Sequence, residues 1–406
     1  MATAAPPAAA GPAHVATVSF LASRATPAGG FWIALAGGVA LARVAQRRGA
    51  REGFGASIAA MLETVAIMGP ARFGVPLTQA ISAPVLGRLN ARSAPLGLQL
   101  LACAAIRLLH NAATTAFFIW VITGGLDAYA GTYDSIARRV GLQVGTADAL
   151  VLTGLGLVAW TAFASTVQVL VYRRGLASWP DDELDRQPEA AAPPPSPAHA
   201  GRFDPRLVAA SAAIAFALLL ASTAWPLLAA VGAWLALAWA FSRAERGPVP
   251  TGLALAALVA FGALVFTLGG GLGLDLALRR TLRAALLVLA ATWLRAAAGA
   301  DGLREVSRRA LGRLRGIPSL PEAIRTLEEI GSEQRLAAAG RALADSLSGV
   351  RRRPRAVVDA VLGWVVRESA RFRPAPAPPP LRLHAGPADW TLLALAAAPA
   401  LALAAG

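Results

Sequence analysis

Lysine is missing from this chain, although the chain carries a formal net charge of +15 at pH 7. Its basic side chains are therefore all arginine, apart from four histidines. A Walker-type phosphate loop, a Schiff-base enzyme and a lysine general base each require the missing side chain, so none of these is predicted. If ATP drives this protein, another chain hydrolyses it.

Sulfur and metal chemistry have equally little support. The single cysteine, Cys103, lies in an apolar block and can form no intrachain disulfide. The histidines, His14, His110, His199 and His384, are scattered without the spacing of metal ligands. No Ser/His/Asp set or carboxylate pair with workable spacing occurs. The sequence predicts no enzymatic activity, no cofactor and no metal site.

Charged residues are also scarce. They make up 15% of the chain, hydrophobic residues make up 56%, and the mean hydropathy is +0.55. An ordinary soluble domain is about 25% charged. The apolar residues come in blocks of roughly 17 to 30, and a bilayer core of roughly 30 Å needs about 20 of them per helix. We therefore predict an all-α, multi-pass protein of the cell membrane, with the lipid bilayer as its main partner.

Most arginines flank the apolar blocks or lie between residues 301 and 373. This placement suits anionic lipid headgroups and the cytoplasmic bias of positive charge. A nucleic-acid-binding face usually interleaves aromatic residues with basic ones, and this stretch has only Trp364 and Phe372 near its end. Nucleic acid is therefore not a predicted partner.

Composition divides the chain into two membrane halves. Residues 178–202 combine an acidic run with a proline cluster, which predicts a disordered, flexible linker. Residues 1–28 are rich in proline and alanine and lack a basic region before an apolar core, so we expect a disordered tail and no cleaved signal peptide. The membrane domains are then predicted over residues 29–177 and 203–406.

In the first half, the blocks at about 29–45, 95–123 and 149–172 are predicted to span. A fourth block, 54–71, carries Glu63 in its middle and is followed by prolines and arginines that suit a re-entrant or interfacial segment. If this block does not cross, the flanking arginines all fall on one side. Charge bias then favours three crossings, with four as the alternative.

The second half is predicted to hold five spans. A turn at 222–226 divides a long apolar run into a helical hairpin. The predicted spans are at about 207–223, 225–241, 251–274, 281–298 and 390–406. Between the last two lies a long polar segment, residues 301–385, here called the insert. Four crossings separate it from the linker, so both are expected on the cytoplasmic side.

The insert is predicted to be helical over much of its length. Its first part is an amphipathic, arginine-rich helix that ends near Pro318. Ser319 and Glu322 form a capping-box pattern that predicts a second helix, and a further helix is expected from Arg355 to Arg371.

Several features of the second half together resemble a known family. They are FDPRL at 203–207, the hairpin-like pair of apolar blocks, four spans plus one around the insert, and LREVSRRALGRLRGIPSLPEA at 303–323. From about residue 202 to 406 the chain resembles the transmembrane T component of energy-coupling-factor importers, ABC transporters that take up vitamins and metal ions. The resemblance implies that helices within 301–373 couple to cytoplasmic ATPase subunits.

In that family, arginines of short Ala-Arg-Gly motifs pair with acidic groups in the ATPase grooves. The nearest elements here are residues 312–316 and 340–342, so the resemblance implies a coupling role for Arg313, Arg315 and Arg341. It also implies that the N-terminal half either binds the substrate itself or docks a substrate-binding membrane subunit.

Polar residues recur within one apolar block of the first half. Arg107, His110, Asn111 and Thr114 follow i, i+3, i+4 and i+7 spacing, so they share one face of a helix. A deep ionisable side chain costs about 2.5 to 3.5 kcal/mol on insertion and normally faces a partner or a cavity. Glu63 is the expected counter-charge. This intramembrane polar cluster is either a pocket or pathway, or a buried ion pair that fixes packing.

Two functions follow as hypotheses. The first is the transmembrane component of an energy-coupling-factor importer, which couples cytoplasmic ATPases to the uptake of a small solute of the vitamin or metal-ion class. The second is a non-transporting membrane scaffold or regulator whose basic insert lies on anionic lipid. They differ in whether the insert prefers a protein groove or a membrane surface.

Overall fold

The computed structural model describes residues 9–25, 30–70, 77–138, 141–180, 202–242, 245–271, 273–314, 316–330, 333–348, 354–374, 381 and 383–404. Within these ranges every regular element is a helix. In chain order they are α1 Ala10–Ala25, α2 Gly30–Arg48, α3 Ala50–Met68, α4 Leu77–Ala91, α5 Leu96–Phe117, α6 Leu126–Arg138, α7 Thr146–Ala177, α8 Pro205–Ala221, α9 Trp225–Phe241, α10 Val249–Gly269, α11 Leu274–Arg313, α12 Leu320–Glu329, α13 Glu333–Ser348, α14 Pro354–Arg371 and α15 Pro387–Ala404. A π-helix, Phe118–Thr123, continues α5.

Among the described residues, four helices are long and apolar enough to cross a membrane: α5 with its π-helical end, α7, α10 and α11. Three of them expose most of their apolar surface, whereas α11 is largely buried by its neighbours. The shorter apolar helices α8 and α9 follow the predicted hairpin, with the break at residues 222–224. The helix α2, which overlaps the span predicted at 29–45, does not belong to these four.

The disordered tail predicted over residues 1–28 is wrong for residues 10–25, which form α1. Val15 and Phe20 are fully buried, and His14 donates a hydrogen bond from Nδ1 to the carbonyl oxygen of Ile330 at 2.8 Å. The helix packs on α2 and on the insert helices α12 to α14. Its partners are therefore remote in sequence, which is why the local composition did not indicate an ordered element.

The centre of the first half is α2, where every residue from Ile33 to Ala45 is buried. A helix buried on all sides must have neighbours all round. These are α1, α3, α4 and α7 together with α14 of the insert. The insert residues Ile330, Leu343 and Val365 belong to the same apolar core. The two predicted halves are therefore not independent, because the insert of the second completes the core of the first.

The block predicted as re-entrant at 54–71 lies in α3, which forms a hairpin with α4. At its start Arg51 pairs with Glu322 of the insert at 2.9 Å. Near the end of α4, the helix packs closely against the backbone of α2. A Cβ added at Gly87 would lie 2.1 Å from the carbonyl oxygen of Ala42. Both open ends of the hairpin thus lie at the end of the molecule where the insert packs.

A second core joins α8, α9, α11 and α15. Trp234 and Trp293 pack edge to face with ring centroids 5.2 Å apart, and Trp234 donates its indole N–H to the carbonyl oxygen of Leu392 at 3.2 Å. Asp204 caps α8 and accepts the backbone N–H of Arg206 at 2.9 Å. This core holds the second half together around α11.

The helices that flank the linker contact the insert. On one side, Arg174 of α7 pairs with Asp359 of α14 at 2.9 Å. On the other, a Cβ at Gly302 would lie 2.8 Å from the Cγ atom of Pro205. That the linker and the insert lie on the cytoplasmic side stays a prediction. Residues 181–201, most of the predicted linker, lie outside the described residues.

Candidate functional site

One carboxylate of α3 is held by an arginine of α11. Arg304 donates from Nε to Oε2 of Glu63 at 2.7 Å and from Nη2 to Oε1 of Glu63. Its Nη1 donates to Asp301 at 2.5 Å. Glu63 is fully buried, and a two-pronged arginine–carboxylate bond is among the strongest polar contacts available there. We call Glu63, Asp301 and Arg304 the Arg304 junction.

The junction lies beside a kink in α11. Gly299 adopts φ 69° and ψ 165°, which divides α11 into an apolar arm and a basic arm. Arg295, one turn before the kink, donates from Nε to the carbonyl oxygen of Ile67 at 2.8 Å and from Nη1 to Glu245 at 2.8 Å. The end of α3 is therefore fixed to α11 on both sides of the kink, which links the first half to the start of the insert.

The predicted pairing of Glu63 with Arg107 is wrong. Glu63 binds Arg304, while Arg107 donates from Nη2 to the side-chain oxygen of Gln168 on α7. The guanidinium of Arg107 also lies 5.7 Å from the ring centroid of Phe31. Sequence position showed that both charges were deep but not which helices faced each other. Arg304 belongs to a stretch that was predicted as an amphipathic, arginine-rich helix, so it was not considered as a partner of Glu63.

A polar chain extends from Arg107 across three helices. Gln168 donates from Nε2 to the hydroxyl of Ser82 on α4 at 2.6 Å, and Ser82 donates to the carbonyl oxygen of Thr78 at 2.5 Å. Gln168 and Ser82 are completely buried. Cys103, one turn before Arg107 on α5, borders the same guanidinium, as does Tyr172 on α7. These side chains tie α4, α5 and α7 together.

The other predicted members of the polar face contribute unequally. Asn111 is half-buried and donates to the hydroxyl of Thr161 on α7 at 3.4 Å. His110 is half-buried as well. Thr114 is exposed and donates to the carbonyl oxygens of His110 and Asn111 in its own helix. Arg107 and Asn111 therefore donate hydrogen bonds to α7, whereas the hydrogen bonds of Thr114 stay within α5.

Sequence reasoning missed the facing side of α7. Thr161, Ser165, Gln168 and Tyr172 recur at intervals of four, three and four residues, so they lie on one face of that helix. All of them are buried. The same periodicity argument that selected the α5 residues could have found this second stripe.

Several buried polar atoms of this region lack a hydrogen-bond partner among the described residues. By normal hydrogen-bond geometry they are Nε of Arg107 and the hydroxyls of Ser165 and Tyr172, although Cys103 lies beside Arg107 and Ser165 and Gln168 lies beside Tyr172. No aspartate or glutamate in the described ranges pairs with Arg107, which is only 3% exposed. We call Ser82, Arg107, Ser165, Gln168 and Tyr172 the Arg107 cluster. It is a buried positive charge with spare donors around it.

The predicted coupling arginines lie on the surface where they are described. Arg313 ends α11 and Arg341 lies on α13, and both are exposed. Arg315 lies outside the described residues. By contrast, the neighbouring Arg308 and Arg309 bind the buried Glu305 at 2.8 and 2.5 Å. The basic arm thus separates arginines that hold the fold from arginines left on its surface.

Two titratable groups are perturbed where α1 meets the insert. Burial lowers the pKa of His14 to about 4, although its hydrogen bond to Ile330 opposes the shift. Burial also raises the pKa of Glu329 to about 7; the neighbouring Glu328 adds to this and Arg325 opposes it. The buried oxygen Oε2 of Glu329 has no hydrogen-bond partner among the described residues. Both groups are therefore favoured in their neutral forms.

Among the described residues, no group of three His, Cys, Asp or Glu side chains could hold a metal ion. No known protein family, no curated protein and no solved structure matches this chain. The functional argument therefore depends on the two sites themselves, the Arg304 junction and the Arg107 cluster.

Proposed function

We propose that this chain is an integral membrane protein that forms the transmembrane component of an ATP-driven importer of the energy-coupling-factor type. In this proposal the N-terminal domain holds a small solute at the Arg107 cluster. The insert engages cytoplasmic ATPases through Arg313, Arg315 and Arg341. The observation that carries the proposal is the core shared by the insert and the N-terminal helices.

The shared core supports coupling because packed helices connect the insert continuously to the Arg107 cluster. Helices α12 to α14 pack on α1, α2 and α3, and α2 packs in turn on α4 and α7. The last two carry Ser82 and Gln168 of the Arg107 cluster. Packed interfaces respond to displacement by switching between arrangements, not by yielding gradually. A partner that shifts the insert would therefore shift the walls of the cluster.

Exposed apolar surface supports the placement in a membrane. Leu101 and Leu109 of α5, Leu155 of α7 and Leu258 of α10 are each more than 60% exposed. Such side chains, repeated along three long apolar helices, form a surface that water would not favour and that lipid would cover. The proposal therefore places α5, α7 and α10 at the lipid boundary, with α11 inside the protein.

The ATPase partnership can be tested by mild detergent purification from the source cells, followed by identification of the chains that co-purify. We expect ABC ATPases with the wild-type protein and at least tenfold less of them with the Arg313→Glu, Arg341→Glu double variant. Arg138→Glu is the matched control, because Arg138 is an exposed arginine of α6, whereas Arg313 and Arg341 belong to the insert. Absence of ATPases from the wild-type preparation, or their full retention by the double variant, would contradict the proposal.

One observation favours the scaffold alternative. Many apolar residues of the insert helices are already covered by the chain's own N-terminal helices, so the exposed surface of the described insert is mostly polar and bears arginines, with Leu314 and Ile317 as exposed apolar residues. Such a surface suits anionic lipid as well as a protein groove. An Arg313→Lys, Arg341→Lys variant separates the two. If a protein groove binds the planar guanidinium groups, the lysine variant should lose partner binding. If anionic lipid binds them, the lysine variant should bind as well as the wild type.

A further inference from the structure

We propose that the Arg107 cluster binds a small monocarboxylate with an apolar, aromatic body. This inference names the solute class and therefore rests on the proposed importer function. It starts from a contrast among buried arginines. Arg295 and Arg304 each contact a carboxylate, and Arg280 and Arg283 donate to main-chain carbonyl oxygens between Val121 and Gly124. Among the described residues, Arg107 instead donates to the neutral side chain of Gln168 and borders the thiol of Cys103.

The charge of Arg107 calls for an anion. The side chain is 3% exposed, and no acidic residue in the described ranges pairs with it. A guanidinium stays protonated even when buried, so it cannot escape the cost of burial by losing its proton. An uncompensated charge is unfavourable in an apolar interior, and a bound anion would supply the missing partner.

The unpartnered atoms suit a carboxylate. Nε of Arg107 and the hydroxyls of Ser165 and Tyr172 are buried and form no hydrogen bond of normal geometry among the described residues; their polar neighbours are the thiol of Cys103 and the side chain of Gln168. Each of them can donate one hydrogen bond. A carboxylate accepts through two oxygens, and its bonds from charged or hydroxyl donors are stronger than bonds between neutral groups. One negative charge balances the single arginine, whereas a divalent cation would find no acidic ligand in the cluster.

The surroundings favour an aromatic body. The ring of Phe31 lies 5.7 Å from the guanidinium carbon of Arg107 and 5.7 Å from the ring of Trp160. Trp160 contacts Phe163 in turn at 6.0 Å. Aromatic groups next to an arginine offer both stacking and cation–π contacts to a flat ligand. A carboxylate directed at Arg107 would leave its apolar part beside these rings.

Binding is best measured with the full-length chain in phosphatidylcholine nanodiscs, with benzoate as the probe and benzamide as its neutral isostere. We expect benzoate to bind and benzamide to bind at least tenfold more weakly, since only benzoate satisfies the charge of Arg107. Octanoate represents fatty acids released from lipid, and inorganic phosphate represents a compact anion. Equal binding of benzamide, or tighter binding of octanoate or phosphate than of benzoate, would overturn the assignment.

Two variants tie the binding to the cluster. Arg107→Gln should lower benzoate affinity about a hundredfold, as expected when a charged hydrogen-bonding partner is lost. Arg92→Gln, an exposed arginine between α4 and α5, should bind like the wild type. Tyr172→Phe keeps the packing and the charge, so it protects the test against misfolding of the first variant. It should lower affinity about fivefold, within the range for one hydrogen bond. Unchanged affinity in Tyr172→Phe and Arg107→Gln would overturn the proposal.

This test is independent of the ATPase experiment. Benzoate binding by a chain that recruits no ATPase would leave the site assigned and remove the importer function. ATPase recruitment by a chain that binds no carboxylate would keep the importer and remove this solute class.

Discussion

Two buried arginines of this protein have opposite electrostatic surroundings. Arg304 lies at the start of the basic arm of α11, and it contacts both Glu63 and Asp301. Arg107 lies among α4, α5 and α7, and its strongest acceptor is the neutral Gln168. The first charge is neutralised by the chain itself and acts as a lock between α3 and α11. The second has no acidic partner among the described residues, and we propose that a bound carboxylate neutralises it.

The difference separates structure from recognition. A buried ion pair whose partners are both present holds helices in register, and removal of either partner is costly. A buried charge without a partner contributes little to the fold, and is retained for another reason. The two sites therefore respond differently to the same kind of substitution, and this response is measurable.

The largest effect is expected at the junction. Glu63→Gln would leave Arg304 with Asp301 as its only carboxylate, and Asp301 is considerably more exposed than Glu63. Breaking a buried pair from one side costs about 3 to 5 kcal/mol. We expect the free energy of unfolding to fall by about that amount, as measured by thermal or denaturant unfolding in detergent.

The Glu63→Gln, Arg304→Gln double variant completes this test. Because it removes the unpaired charge as well, it should regain part of the lost stability. If the two single losses simply add, Glu63 and Arg304 do not interact in solution. The lock between α3 and α11 would then have to be explained by packing alone.

The next largest effect is expected at the kink beside the junction. Gly299 has φ 69°, so alanine there is strained, and its Cβ would lie 3.2 Å from Glu245. We expect Gly299→Ala to cost about 1 to 2 kcal/mol. Gly312→Ala is the matched control in the same helix, since nothing lies within 4 Å of its added Cβ. It should stabilise by about 0.5 to 1 kcal/mol, and similar behaviour of the two variants would rule out a strained kink.

Much of the helical architecture follows from local sequence. The predicted spans at 95–123, 149–172 and 225–241 fall within α5 and its π-helix, α7 and α9, because long apolar blocks permit little else. The helix predicted after Ser319 is α12, and the one predicted from Arg355 to Arg371 lies in α14. Pro318 and the residues around it marked the break correctly.

Partnerships between distant segments could not be predicted in the same way. Nothing local shows that α1 fits between α2 and the insert, or that Arg304 reaches Glu63 across 241 positions of sequence. Arg304 looked like one of several arginines on an amphipathic helix. The buried polar face of α7 could have been found from its periodicity, and it contributes three of the five members of the Arg107 cluster, Ser165, Gln168 and Tyr172.

A smaller effect, which depends on pH, is expected where the insert meets the first half. The pKa of Glu329 is raised to about 7, so its neutral form is favoured in the folded state. The folded protein then binds more protons than the unfolded chain between about pH 4.5 and 7, and this group contributes a loss of stability as pH rises through that window. Glu329→Gln should be more stable than the wild type at pH 8 by about 1 kcal/mol, a value reduced for partial exposure.

The pH dependence of this difference is the informative measurement. At pH 5 the folded side chain of Glu329 is neutral and only the unfolded one is partly ionised, so the advantage of Glu329→Gln should shrink to a small part of its value at pH 8. His14, whose pKa is lowered to about 4, works in the opposite direction: its contribution is complete above about pH 6.5 and is lost as the pH falls toward 4. It is common to both proteins and cancels in the comparison. An advantage that is the same at pH 5 and pH 8 would show that Glu329 does not titrate in this range.

No loss of stability is expected at Arg107, and this sharpens the comparison with Glu63. Arg107→Gln removes a hydrogen bond to Gln168 and a contact with Phe31, which together contribute about 1 to 2 kcal/mol. It also removes a buried charge without an acidic partner, whose burial costs about 2.5 to 3.5 kcal/mol. These contributions oppose each other and leave a net gain of about 0.5 to 2.5 kcal/mol, so the ligand-free variant should be at least as stable as the wild type. The unfolding experiment that is used for Glu63→Gln measures it, without added carboxylate. A loss as large as the one at Glu63 would mean that Arg107 has an acidic partner within the chain, and the contrast between the two arginines would no longer hold.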